Sequence, residues 1–124
     1  MICPCCSAKD YNECCYLYHS GEENAPTAEA LMRSRYAAFA LKNADYLYNT
    51  TLPGKRKFHP KKELQEWAEI NIWTKLEILR TPALDVVEFR AYYTDDEGQP
   101  QIHHELSRFR KAKGCWYYVS GDFL

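Results

Sequence analysis

Thr74-Lys75-Leu76-Glu77-Ile78-Leu79-Arg80 and, three residues on, Leu84-Asp85-Val86-Val87-Glu88-Phe89-Arg90-Ala91-Tyr92-Tyr93-Thr94 form the stretch that decides the fold. The apolar period here is two. Leu76 and Ile78 share one side, as do Val87, Phe89, Ala91 and Tyr93, the pattern of strands with one buried face. Downstream, Asp95-Asp96-Glu97-Gly98-Gln99-Pro100 is rich in turn formers and leads to a third strand over Ile102 to Lys111. Ala112-Lys113-Gly114 makes the next turn, and Cys115 to Ser120 is a last strand whose aromatics suit a pleated surface.

Upstream of Trp73 the period is helical. Ala28, Leu31, Met32, Tyr36, Phe39 and Ala40 recur at three- and four-residue spacing, which predicts a helix from Ala28 to about Leu41 with Thr27 as its N-cap. Asp45 is placed to cap a short second helix ending near Thr51, before Leu52-Pro53-Gly54. A third helix is predicted over Lys61 to Asn71, with Leu64, Trp67 and Ala68 on its inner face. About three helices followed by about four strands on short connections specify an α+β domain, an antiparallel sheet with helices packed on one face.

The chain of 124 residues has the length of one ordinary domain with a small appended lobe. At 46% apolar and 27% charged it lies in the globular range, and a net charge of -1 gives no general attraction for nucleic acid or anionic membrane. No apolar run approaches the roughly 18 to 20 residues of a membrane span, and no secretion signal opens the chain. A cytoplasmic protein with reduced thiols is therefore expected, and there clustered cysteines favour metal over disulfides.

Five of the six cysteines lie within the first fifteen residues, as Cys3-Pro4-Cys5-Cys6 and Cys14-Cys15. Two close pairs joined by a short loop bring together the four thiolates that tetrahedral zinc requires. This segment has no helical or strand period, and Ser7-Ala8-Lys9-Asp10 reads as a turn, so metal takes the place of a hydrophobic core. Residues 16–26 read as a linker. The organisation expected is a zinc-binding knuckle over 1–20 and an α+β domain over 21–124.

Cys3-Pro4-Cys5-Cys6-Ser7-Ala8-Lys9-Asp10-Tyr11-Asn12-Glu13-Cys14-Cys15 resembles the SEC-C zinc motif: Cys-x-Cys, eight residues, then Cys and a Cys or His. Tyr18-His19-Ser20-Gly21, Leu31-Met32-Arg33-Ser34-Arg35-Tyr36, Ala44-Asp45-Tyr46-Leu47, Glu105-Leu106-Ser107-Arg108-Phe109 and Trp116-Tyr117-Tyr118-Val119-Ser120-Gly121-Asp122 extend the likeness to the YchJ family of small bacterial proteins. The resemblance implies a nuclear transport factor 2-like cone, in which a curved sheet wraps helices around a pocket, and supplies no function. It makes Cys3, Cys5, Cys14 and Cys15 the ligands of one structural zinc ion, with Cys6 and His19 as the alternatives. The family usually has Gly where this chain has Cys6, and again at Ala8, and Gly in such a loop commonly supplies positive φ. Many members carry a second such motif at the C-terminus; none occurs up to Leu124, so no bridging role that needs two knuckles is expected.

In the larger domain Arg35 falls near the buried face of its helix, and a guanidinium there needs acceptors. Alternation puts Glu105, Ser107 and Phe109 on one face of the third strand and His104, Leu106 and Arg108 on the other. Two roles follow for Arg35 and Glu105. They either form a buried pair fixing helix to sheet, or act as anion hook and acid or base in a pocket lined by Tyr36, Trp73, Ser107, Trp116 and Tyr118. The basic run Lys55-Arg56-Lys57 with His59, Lys61 and Lys62 reads as a solvated loop and helix start, with a site for a phosphate or acidic partner as the alternative, and Cys115 as a structural thiol. The expected function is a non-enzymatic adaptor whose knuckle docks a protein partner and whose pocket takes a peptide or small molecule. The rival is a small hydrolase or isomerase using Glu105, Arg35 and His104.

Overall fold

Thr27 caps the first long helix as its sequence position predicts, its Oγ1 accepting from the Ala30 N–H at 3.0 Å. The computed structural model describes all residues 1–124. Helix α1 (Tyr16–His19) is a single turn, followed by α2 (Ala28–Ala40), α3 (Ala44–Asn49) and α4 (Lys61–Ile70). Strands β1 (Ile72–Ala83), β2 (Val86–Thr94), β3 (Pro100–Ala112) and β4 (Cys115–Phe123) form one antiparallel meander in the order β1-β2-β3-β4. No helix is long and apolar enough to cross a membrane.

Four local readings change. Residues 16–26 contain α1, not only a linker. Asn43, not Asp45, caps α3, because its Oδ1 accepts from the Tyr46 N–H at 3.1 Å. Lys55 to Phe58 belong to a 3-10 helix over Pro53–Phe58. Finally β1 runs on through Pro82, which an edge strand tolerates, so Leu84 leaves β2 for a tight turn with Asp85 and stands 91% exposed.

The alternation predicted for the strands is the alternation observed. Leu76, Val87, Phe89, Ala91 and Phe109 are buried on the concave face and pack against Leu31, Met32 and Tyr36 of α2. Extra residues in β1 near Trp73 and Ile78, and in β4 at Val119 opposite Arg108 and Phe109, bend the sheet around the helices. The segment after α3 fastens to β4: Tyr118 N–H donates to the Thr50 carbonyl at 2.8 Å and Leu52 N–H to the Tyr118 carbonyl at 2.9 Å. That fixes Tyr118 between α2 and the third strand, where the pocket lies.

Candidate functional site

In the N-terminal knuckle the Sγ atoms of Cys3, Cys5, Cys14 and Cys15 all lie within 4.8 Å of one another. Cys5 and Cys14 are 3.6 Å apart and Cys14 and Cys15 4.0 Å, close to the edge of about 3.8 Å that a tetrahedron of sulfurs 2.3 Å from zinc would have. All six cysteines are unpaired. Among the thiols alone, Cys5 takes the negative charge, pushed down to about 4 chiefly by the Cys15 thiol donating to it. Burial pushes Cys3 up to about 11, and hydrogen bonding to Cys5 together with burial raises Cys15. A divalent cation at the centre is what lets all four ionise together, so the donor set fits a metal.

Both alternative ligands are engaged elsewhere. Cys6 Sγ accepts from the Leu76 N–H at 3.4 Å, pinning the knuckle to β1. His19 is a latch. Its Nε2 lies 2.7 Å from the Ser34 carbonyl, which can only accept, so Nε2 carries the proton and Nδ1 accepts from the Tyr11 hydroxyl at 2.7 Å. Burial holds its pKa below the ordinary histidine value. Arg33 adds a second tie, Nη1 donating to the Cys5 carbonyl at 2.9 Å, and Ala37 of α2 packs among Cys3, Cys5 and Cys15. Cys6 and Ala8, standing where glycine is usual, both hold φ +67°.

The cone encloses a cavity of about 220 Å³ between α2, α4 and the sheet. Its walls include Met32, Phe39, Trp67, Trp73, Phe89 and Phe123, and its polar groups are Arg35, His59, His103, Glu105, Ser107 and the tyrosines 36 and 118. Arg35 and Glu105 are each 5% exposed, but they do not pair directly. The guanidinium is served by neutral acceptors, Nη1 donating to the Leu47 carbonyl and Thr50 Oγ1, both at 2.8 Å, and lies over the Tyr118 ring at 4.6 Å. Tyr118 hydroxyl in turn donates to Glu105 Oε2 at 3.1 Å, so the ring separates the two charges. Glu105 Oε1 is 2.7 Å from His103 Nε2, and Ser107 Oγ donates to Oε2. Burial raises the Glu105 pKa, but the bonds from His103, Ser107 and Tyr118 outweigh it, and the carboxyl titrates below its ordinary range.

Two proposed residues leave the site. His104 points to the other side of the sheet, its Nε2 2.7 Å from Glu88 Oε2; alternation gives the cavity to His103, the neighbour that shares a face with Glu105. Trp116 has the right parity but lies too far along β4. Its Nε1 donates to the Pro26 carbonyl at 3.3 Å, at the opposite end of α2. Besides His103, further residues are gained. His59 lines the cavity with its ring edge-on to Tyr118 at 5.7 Å, and Gly121 lies against the Glu105 carboxylate, where any Cβ would overlap it. Phe39, one turn after Arg35, and Trp67 were legible by helical spacing; Gly121 depends on strand register. Of the basic run, Arg56 donates to the carbonyls of Tyr48, Asn49 and Thr51 and Lys61 pairs with Asp45 at 2.8 Å, uses internal to the fold.

A helix-backed antiparallel cone preceded by a four-cysteine knuckle defines a SEC-C motif protein with a nuclear transport factor 2-like domain. The family model described as YchJ, middle NTF2-like domain, matches residues 27–121, and the chain belongs to the YchJ (UPF0225) family. It is 45% identical to a UPF0225 protein of Actinobacillus succinogenes, over 95% of this chain and 79% of that one. It is 43% identical to one of Geobacter sulfurreducens, over 97% and 78%. Among solved structures it is similar to a SEC-C motif containing protein from Rhodopseudomonas palustris, with TM-score 0.91 and 39% identity over 100% of this chain and 99% of that one. A second such protein, from Psychrobacter arcticus, gives TM-score 0.83 and 36% identity over 97% and 81%.

Proposed function

We propose that this protein is a metal-stabilised binding module: the four cysteines hold one structural zinc ion, and the cone takes up a small ligand. The observation that carries this reading is the 220 Å³ cavity, apolar over most of its wall with a few buried polar groups converging on it, the usual form of a small-molecule site. The zinc is structural in this reading because four thiolates leave no position for water. Reduced thiols suit a cytoplasmic setting. The knuckle serves as the docking surface for a protein partner, a role supported by the exposed Met1 and Ile2 and by Tyr16, stacked edge-on against Tyr11.

Trp67 and Trp73 in the cavity wall supply the test. Titration of the metal-loaded protein with single-ring aromatics should change their emission saturably, and Ala91→Leu, which fills part of the wall, should weaken the effect by at least about tenfold. No saturable change with any small aromatic would remove the ligand site. One observation favours catalysis as a second reading, the 2.7 Å bond between His103 and Glu105, a base and its orienting group. In that case Glu105→Gln abolishes turnover while ligand still binds.

A further inference from the structure

We infer that the ligand of the cone is a small organic acid, an aryl or branched aliphatic carboxylate held by the inward edge of Arg35; this deepens, and rests on, the reading of the cavity as a ligand site. A guanidinium offers five N–H donors. All three protein acceptors of Arg35, the Leu47 carbonyl, Thr50 Oγ1 and Thr51 Oγ1, lie on Nη1. Nε and Nη2 have none. No fully buried side-chain nitrogen or oxygen in the molecule lacks a partner, so these two unserved nitrogens reach open space, and the space Arg35 lines is the cavity.

Charge compensation in the cavity is lopsided. Glu105 is met by His103 at 2.7 Å and by the hydroxyls of Ser107 and Tyr118, so its negative charge is already served. Arg35, 95% removed from solvent, touches no carboxylate, and burial pulls its pKa down. A buried cation with no carboxylate in contact is only partly compensated, and the free Nε–Nη2 edge has the fork geometry that takes a carboxylate through two parallel bonds. His59, whose ring nitrogens have no protein partner, lines the same cavity and adds a donor. The remaining wall of Met32, Phe39, Trp67 and Phe89 favours an apolar body over a heavily hydrated phosphate. At 220 Å³ the cavity falls below the roughly 300 Å³ at which drug-sized sites begin, which limits the ligand to about one ring and a short acid arm.

The test compares phenylacetate, phenylacetamide and 2-phenylethylamine, near-isosteres of different charge, by tryptophan emission and thermal shift on the full, metal-loaded chain. Phenylacetate should bind at least about tenfold more tightly than the amide, with the amine weakest. Arg35→Lys, which keeps the charge and loses the fork, should remove most of that preference; if that variant does not fold, the wild-type comparison decides alone. Equal binding of acid and amide, or preference for the amine, overturns the inference and leaves the cavity a ligand site. Failure of phenylacetate to bind while another single-ring aromatic does so overturns the inference alone, and failure of every single-ring aromatic overturns both.

Discussion

The knuckle and the cone each gather polar and ionisable groups around a small space, and they satisfy them in opposite ways. In the knuckle four groups of one kind converge with nothing between them, a set only a shared cation completes. In the cone, Arg35 and Glu105 are held apart by the Tyr118 ring and served by separate neighbours, leaving one donor edge free. A closed set makes a scaffold, whereas a set with one open edge makes a receptor. On the proposed reading the metal is structural and ligand chemistry belongs to the cone.

The largest test of this contrast is metal removal. Apparent zinc binding in comparable thiolate sites is worth on the order of 10 kcal/mol, so chelation should abolish order in the knuckle. The core of Leu31, Tyr36, Val87, Phe89 and Phe109 contains no cysteine, so the near-ultraviolet circular dichroism of the cone should persist. Loss of both signals together would break the comparison. Next, Gly121→Ala should destabilise the cone by about 1 to 3 kcal/mol in urea unfolding, because the added methyl would push the Glu105 carboxylate off its bonds with His103, Ser107 and Tyr118.

A smaller effect comes from pH. The folded Glu105 titrates below its ordinary 4.5, so it adds stability at pH values above 4.5, and that contribution is lost as pH falls through the lowered folded value. Thermal melts across this range should be steeper in pH for the wild type than for Glu105→Gln; identical slopes would mean the carboxylate is not specially held. The smallest change should be a gain. Ala8 sits at φ +67°, where an L-residue costs roughly 1 kcal/mol relative to glycine, so Ala8→Gly should raise the melting temperature of the metal-loaded protein.

Much of this was legible in the sequence where a single period or spacing carries the information. The two-residue period from Leu76 to Tyr93 gives the sheet and its buried face, Thr27 gives the start of α2, and the paired cysteines give the metal cluster. Cys6 and Ala8 keep the positive φ that glycine supplies in the SEC-C loop, so the loop geometry survives both substitutions. What escaped depends on distances between elements. Arg35 was expected to need a carboxylate, yet carbonyl and hydroxyl acceptors from the end of α3 reach it first. Trp116 and Tyr118 share a face, but two residues of strand separate the cavity from the Pro26 end of α2. His103 could have been chosen over His104 from alternation alone, since Glu105 already marked the inner face. His19 gave no local signal, because its role is defined by Tyr11 on one side and Ser34 on the other.

The central claim, a closed metal scaffold beside an open receptor, is tested most directly by X-ray absorption at the zinc edge of the purified protein. The expected result is one zinc per chain with four sulfur neighbours at about 2.3 Å and no coordinated nitrogen or oxygen. Fewer than four sulfurs, or a light-atom ligand such as imidazole or water, would contradict it and move potential chemistry into the knuckle.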